Sequence, residues 1–200
     1  MVTKIGVLAI QGDFSLHRRA LEKLGVESAE IRRASELAGL NGIIIPGGES
    51  TTFHKLLTES DLGDALLREL RNGLPAWGTC AGAIILGYGE GRPQPRWRLI
   101  DVEVARNAYG RQVDSFVAPI SFKGIAGDFP AVFIRAPRFI SVGAGVEVMA
   151  RLNKEPVAAS QGNVFVTSFH PELTEDPRMH RYFLDRFCAV GSLKVVRSAG

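Results

Sequence analysis

A cysteine stands at position 80 among small residues, in the order Gly78-Thr79-Cys80-Ala81-Gly82. A nucleophile flanked two residues away on each side by glycine is the pattern of a sharp strand-to-helix turn, where the small neighbours let the backbone fold tightly enough to expose the central side chain. A helix N-terminus favours negative charge, and the thiolate is the reactive form of cysteine, so Cys80 reads as a nucleophile. The plainer reading, a buried structural thiol, suits any cysteine, but the residues around Cys80 would leave core volume unfilled. Cys188, beside Phe187 near the end of an apolar helical pattern, has no such turn and reads as inert core.

A cysteine nucleophile needs a base, and the base needs a group that orients it. His170 follows the apolar run 164–169, and Glu172 comes two residues later across Pro171. Proline biases the preceding residue toward extended backbone, in which residues two apart project alike, so the Glu172 carboxylate comes within reach of the imidazole. The other histidines, His17, His54 and His180, lie in helix-like stretches among arginine, lysine and polar residues and read as surface residues. A metal held by His170 and Glu172 finds no third ligand at a suitable spacing, so none is expected. The turn Pro46-Gly47-Gly48-Glu49-Ser50 closes another apolar run. Two glycines there let backbone N–H groups face a ligand without an intervening Cβ, which is how an oxyanion hole is built; a simple tight turn is the alternative. The Walker spacing and its lysine are absent, and Gly6 to Gly12 is no dinucleotide fingerprint, so nucleotide binding is not expected.

Strands alternating with helices must position these turns. The run 4–9 reads as a strand, followed by Gln11-Gly12 and a helix to position 24 that Asp13 caps and Gly25 ends. A weak strand at 26–31, a strand at 42–45 buried on both faces, helices at 51–57 and 62–70, a strand at 74–77 and a helix start at 81–86 continue the alternation. Such an order predicts an α/β fold with a mostly parallel sheet covered on both sides, whose ligands bind beyond the carboxyl ends of the strands. From position 98 the pattern changes to strands at 99–105, 115–122, 131–135, 146–152 and 164–169, an antiparallel extension, before a closing helix at 182–187. One domain over 1–190 is expected; 191–200 has no periodicity and reads as a disordered or appended tail.

Composition narrows the function. Of 200 residues, 46% are hydrophobic and 22% charged, ordinary for a folded globular chain and unlike a disordered one. Lys and Arg number 24 against 21 Asp and Glu, so the basic balance is a small excess and not a nucleic-acid stripe. No stretch of about 18 apolar residues is present and no secretory pattern opens the chain, so no membrane partner is expected and a cytoplasmic location is.

The order Cys80, His170, Glu172, with GTCAG, PGGES and FHPE around it, resembles the class I, triad-type glutamine amidotransferases. GVLAIQG at 6–12, PGGESTT at 46–52, RNAYGRQ at 106–112, IRAP at 134–137 and FHPEL at 169–173 narrow the resemblance to the glutaminase subunits of pyridoxal phosphate synthase. This implies a three-layer, flavodoxin-like fold and hydrolysis of L-glutamine to glutamate and ammonia through a Cys80 thioester, with His170 moving the proton and Glu172 orienting it. It further implies oxyanion donors at Gly48 and Ala81, substrate contacts from Gly47, Gly48, Glu49, Ser50, Arg106, Ile134 and Arg135, and a partner interface at Gln11 and Gly12. The implied partner is a barrel-shaped synthase subunit in a hetero-oligomer. It would receive the ammonia and build pyridoxal phosphate, so this chain itself would need no cofactor. Rival readings are a glutaminase serving nucleotide, tryptophan or histidine synthesis, a hydrolase on a related scaffold, and a regulatory binding module with a dead site.

Overall fold

The computed structural model describes residues 3–89, 97–106 and 115–188. Expectations for the tail 191–200, for most of the 106–112 motif and for part of the proline-containing loop at 92–98 lie outside them. The central sheet is built from β1 (Lys4–Leu8), β2 (Glu27–Ile31), β3 (Gly42–Ile45), β4 (Ala76–Thr79), β9 (Glu147–Leu152), β10 (Glu155–Gln161) and β11 (Val164–Thr167). Its order is β2-β1-β3-β4-β11-β10-β9. The pairs from β2 through to β11 are parallel, whereas β11 with β10 and β10 with β9 are antiparallel. Two antiparallel ribbons stand apart from this sheet: β5 (Val102–Ala105) with β8 (Arg138–Val142), and β6 (Ser115–Ser121) with β7 (Asp128–Ile134).

Alternation along the strands sends side chains into two separate cores. Ile43 and Ile45 join one apolar cluster and Ile44 the other, and all three are fully buried. The first cluster takes its cover from α2 (Ser50–Thr58), α3 (Asp61–Arg71), α4 (Ala81–Leu86) and the β5–β8 ribbon. The second is covered by α1 (Phe14–Lys23), α5 (Arg178–Phe187) and the β6–β7 ribbon. Burial of each large aliphatic side chain contributes about 1.5–3 kcal/mol, so the continuous Gly-Ile-Ile-Ile strand anchors both layers at once. None of the described helices is long and apolar enough to cross a membrane.

Several elements depart from expectation. The fourth strand runs two residues later than 74–77, because Pro75 meets β3 only through its carbonyl, which accepts the Ile43 N–H at 2.8 Å, and pairing with β3 begins at Ala76. The shift carries the strand to Thr79, directly against Cys80. Strands β8 and β10 were not expected. β8 is an exposed-edged ribbon strand with Ile140 facing outward, and β10 begins with Glu155-Pro156, residues disfavoured in strands. Asp13 occupies the N-cap position of α1, but its side chain makes no capping hydrogen bond.

Candidate functional site

Because β1, β3, β4 and β11 are parallel, the turns that follow them emerge at one end of the sheet. A cavity of about 240 Å³ opens there, lined by Asp13, Gly48, Glu49, Ser50, Cys80, Ala81, Ile84, Arg106, Ile134, Arg135, Pro137 and His170. The turns after β1, β3 and β4 all contribute, as do His170 beyond β11 and the ends of β5 and β7.

Cys80 caps the N-terminus of α4 with φ 47 and ψ −103, a backbone conformation that non-glycine residues rarely adopt. Strain of this kind costs on the order of 1–3 kcal/mol and persists only where the surroundings impose it. Here they do: a Cβ on Gly82 would lie 2.1 Å from the Ile45 carbonyl oxygen, so the turn after β4 is pressed against β3. The sequence pattern that marked the elbow is thus a packing requirement, and Cys80 is 8% exposed at the cavity wall.

His170 is seated by a different layer. Its backbone N–H donates to the Val132 carbonyl of β7 at 2.8 Å, which ties the imidazole to the second ribbon. Its Nδ1 lies 2.8 Å from Glu172 Oε1, both residues being buried, with Glu172 on a short 3₁₀ turn over Pro171–Leu173. A carboxylate oxygen only accepts, so Nδ1 carries the proton and Nε2 is left for the thiol side. Burial works against a charged His170 ring, but hydrogen bonding and charge from Cys80, together with those of Glu172, outweigh it and push the imidazole up to about 10. Such a ring holds a proton and sits ready to deliver it.

The Gly47-Gly48 turn packs directly on this pair. A Cβ on Gly47 would stand 2.4 Å from His170 Cε1 and 3.2 Å from Cys80 Cβ. Thr79 Oγ1 accepts the Gly47 N–H at 2.9 Å, and Gln11 Oε1 accepts the Glu49 N–H at 2.9 Å. Gly12 approaches so closely that a Cβ there would be 1.8 Å from the Gly47 carbonyl oxygen. The Gln11-Gly12 turn is therefore in mechanical contact with the Gly47-Gly48 peptide.

The remaining expected residues divide. Arg106, Ile134 and Arg135 all reach the cavity, with Ile134 and Arg135 exposed at its edge. Glu49 lines it too, but its carboxylate is committed to α2: it accepts from the Thr51 and Thr52 amides at 3.0 and 2.7 Å and from the Thr52 hydroxyl at 2.7 Å. The Thr52 hydroxyl, with those amides, holds the Glu49 carboxyl down at about 2, and Arg106 stands 3.7 Å from it. Cys188 is buried at the end of α5, far into the second core, as expected of an inert thiol.

Two readings need correction. His17 and His180 are not surface residues; both are fully buried, while His54 is half-buried. The charged neighbours that suggested exposure lie on the other faces of their helices. His17 shares the buried face of α1 with Leu21, four residues on, and His180 shares that of α5 with Phe183 and Leu184; this helical spacing was the available signal. The second concerns the missing third metal ligand. The fold brings Asp13 to His170 and Glu172, with one ligand atom from each within 4.8 Å of the others. The hydrogen bond between Nδ1 and Oε1 and the raised basicity of His170 fit a proton-handling pair better than a ligand pair.

A doubly covered, mostly parallel sheet with a thiol on a strained elbow and a buried His–Glu pair just beyond the adjoining strand defines a class I glutamine amidotransferase fold. Comparison with known proteins gives the family. The chain belongs to the SNO glutamine amidotransferase family, whose profile matches residues 7–189. It is 54% identical over 187 residues to a pyridoxal 5'-phosphate synthase subunit PdxT of Thermus thermophilus, a match covering 90% of this chain and 96% of that one. The subunit of the same name from Deinococcus radiodurans is 50% identical over 186 residues, covering 90% and 95%. A crystal structure of a glutamine amidotransferase superimposes with a TM-score of 0.86 at 52% identity, over 90% of this chain and 97% of that one. PurLQS from Thermotoga maritima shares the fold at a TM-score of 0.71 and 15% identity, over 92% and 99% of the two chains.

Proposed function

We propose that this chain hydrolyses L-glutamine through Cys80, His170 and Glu172 and hands the ammonia to a synthase subunit that makes pyridoxal 5'-phosphate. The observation that carries the chemistry is the buried 2.8 Å His170–Glu172 pair, whose imidazole lines the same cavity as Cys80. In this reading Cys80 Sγ bonds to the carboxamide carbon, and the oxyanion that forms is held by the N–H groups of Gly48 and Ala81. His170 then gives its Nε2 proton to the departing nitrogen, the C–N bond breaks, and ammonia leaves a glutamyl thioester. Water attacks that carbon, passing a proton back to His170; the C–S bond breaks and glutamate is released. Glu172 keeps the ring in the tautomer and orientation that both steps need. The amino acid end of the substrate rests on the turn at Gly47, Gly48, Glu49 and Ser50, with Arg106 and the Ile134-Arg135 backbone completing its contacts.

The partner follows from the relatives, each named as a subunit of pyridoxal 5'-phosphate synthase. This chain would then dock, in the cytoplasm, on a barrel-shaped synthase subunit in a hetero-oligomer, with Gln11 and Gly12 at the contact. That turn touches the Gly47-Gly48 peptide, so docking there can set the orientation of an oxyanion donor. The deciding experiment measures glutamate release by the wild type and by Cys80→Ala, each with the synthase subunit. Glutaminase activity should fall on the order of 10⁶-fold with the fold intact. Full activity in Cys80→Ala would overturn the assignment.

A further inference from the structure

Glu172 has two carboxylate oxygens, and the mechanism above uses one. Oε2 is buried and accepts no well-aligned hydrogen bond, and the polar atom set beside it is His17 Nε2, 3.3 Å away. His17 Nδ1 lies in turn 2.9 Å from His180 Nε2. Trp77 closes this layer, its ring edge-on to both imidazoles with centroid separations of 5.7 and 5.0 Å, and Thr79 Oγ1 stands 3.4 Å from His17 Nε2. Two fully buried histidines from two different helices thus run in a line away from the proposed triad.

The distances in this line suit one assignment of donors and acceptors. With its hydrogen on Nε2, the edge that faces the Glu172 carboxylate and Thr79 Oγ1, His17 accepts at Nδ1. His180 Nε2 then supplies the hydrogen between the rings, and His180 Nδ1 is the bare end, buried without a partner. A second proton on His17 would place two N–H groups face to face. Burial, with the charges of His180 and His170, keeps His17 well below its ordinary range, and burial pushes His180 down to about 3, so both rings are neutral as the pattern demands.

We propose that His17, backed by His180, is a positioning residue: its Nε2 edge, packed 3.3 Å from the outer oxygen of Glu172, confines the carboxylate so that the inner oxygen stays on His170 Nδ1. This rests on the glutaminase reading, since it assigns His17 a task only if Glu172 orients a working base. A carboxylate on a 3₁₀ turn with one oxygen anchored can still swing about that contact; anchoring the second fixes its plane.

The test compares wild type, His17→Leu, His17→Gln and His180→Leu as full chains with the synthase subunit, with Cys80→Ala as reference. Groups facing the pair are Asp13, Cys80 and His170 from the cavity side, His17 from α1 and His180 from α5. For His17→Leu the expected result is an unchanged KM and a kcat lower on the order of 10- to 100-fold, the rate equivalent of one polar contact to a charged group. The alkaline limb of the kcat profile should move to lower pH, because Glu172 helps hold the His170 proton and a loosened carboxylate holds it less firmly. His17→Gln, whose amide nitrogen falls near the place of the ring Nε2, should regain most of the rate. A folded His17→Leu with wild-type kcat and pH profile would overturn the proposal, as would His17→Gln behaving no better than His17→Leu. Should His17→Leu not fold, His180→Leu decides: a smaller kcat loss with the alkaline limb displaced in the same direction supports the proposal, and an unmoved profile overturns it. Activity in Cys80→Ala would instead overturn the glutaminase reading itself.

Discussion

The two cysteines are almost equally buried, 8% exposed for Cys80 and 5% for Cys188, yet their regions make them different chemical groups. Cys80 begins a helix, sits on strained backbone and shares its cavity with His170. Cys188 ends one. Its Sγ lies 2.6 Å from where a Cβ on Gly42 would stand, in the aromatic layer around Phe183, and burial alone pushes its thiol up to about 12. Burial does not decide whether a thiol reacts; the charges and dipoles it meets there do.

The largest effect should come from removing what only Cys80 has. His170→Asn should cost on the order of 10⁶-fold in kcat and slow alkylation of Cys80 toward the rate of Cys188, while Glu172→Gln, which leaves the ring in place, should cost on the order of 10⁴-fold. Rate constants with glutamine and iodoacetamide labelling followed by peptide mapping measure both. If Cys80 in His170→Asn still outpaces Cys188 as it does in the wild type, the helix terminus and not the base activates it.

Much of the Cys80 region was legible in the sequence because its demands are local. The glycines of the elbow, the two after β3 and the proline between His170 and Glu172 each constrain backbone within a few residues, and such constraints leave fixed spacings. Asp13 was legible only as a helix cap, because its approach to His170 and Glu172 depends on how β1 and β11 lie in the sheet. His17 and His180 were misread for a related reason. Whether a helical histidine faces outward depends on what packs against that face, and the partner of each is 163 residues away in the chain. The order of ribbons over the sheet was likewise out of reach, since β5 pairs with β8 across the whole β6–β7 hairpin.

A smaller effect separates the regions with one kind of substitution. Gly47→Ala puts a methyl 2.4 Å from His170 Cε1, and Gly42→Ala puts one 2.6 Å from Cys188 Sγ. Overpacking of this order costs about 1–3 kcal/mol wherever it occurs. At Gly47 it displaces His170 and the Gly48 peptide, the proposed base and oxyanion donor, so kcat should also fall on the order of 10²–10³-fold. At Gly42 the melting temperature should drop while kcat stays at the wild-type value. Thermal melts and initial rates on both variants check this, and a comparable loss of kcat at Gly42 would mean that the second core reaches the site.

The smallest effect lies in how stability depends on alkaline pH, where the regions should act in different windows. His170 is raised from 6.5 to about 10, so the fold binds its proton more tightly than the unfolded chain does. That stabilisation is complete below pH 6.5 and is lost as pH rises through about 10. Cys188 is raised from 9.0 to about 12 by burial, so its contribution is complete below pH 9.0 and disappears as pH rises through about 12. Each group can add a slope of at most about 1.4 kcal/mol per pH unit within its window. Other groups titrate in the same range, so the informative quantity is the difference between each variant and the wild type in denaturant unfolding. His170→Asn should flatten the decline between pH 6.5 and 10 and leave the higher range alone. Cys188→Ala should do the reverse: the small cavity it leaves lowers stability by the same amount at every pH, and only the loss of the titrating thiol changes the slope. A Cys188→Ala curve parallel to the wild type from pH 9.0 to 12 would show that this thiol ionises freely in the fold. The contrast between the two cysteines would then rest on Cys80 alone.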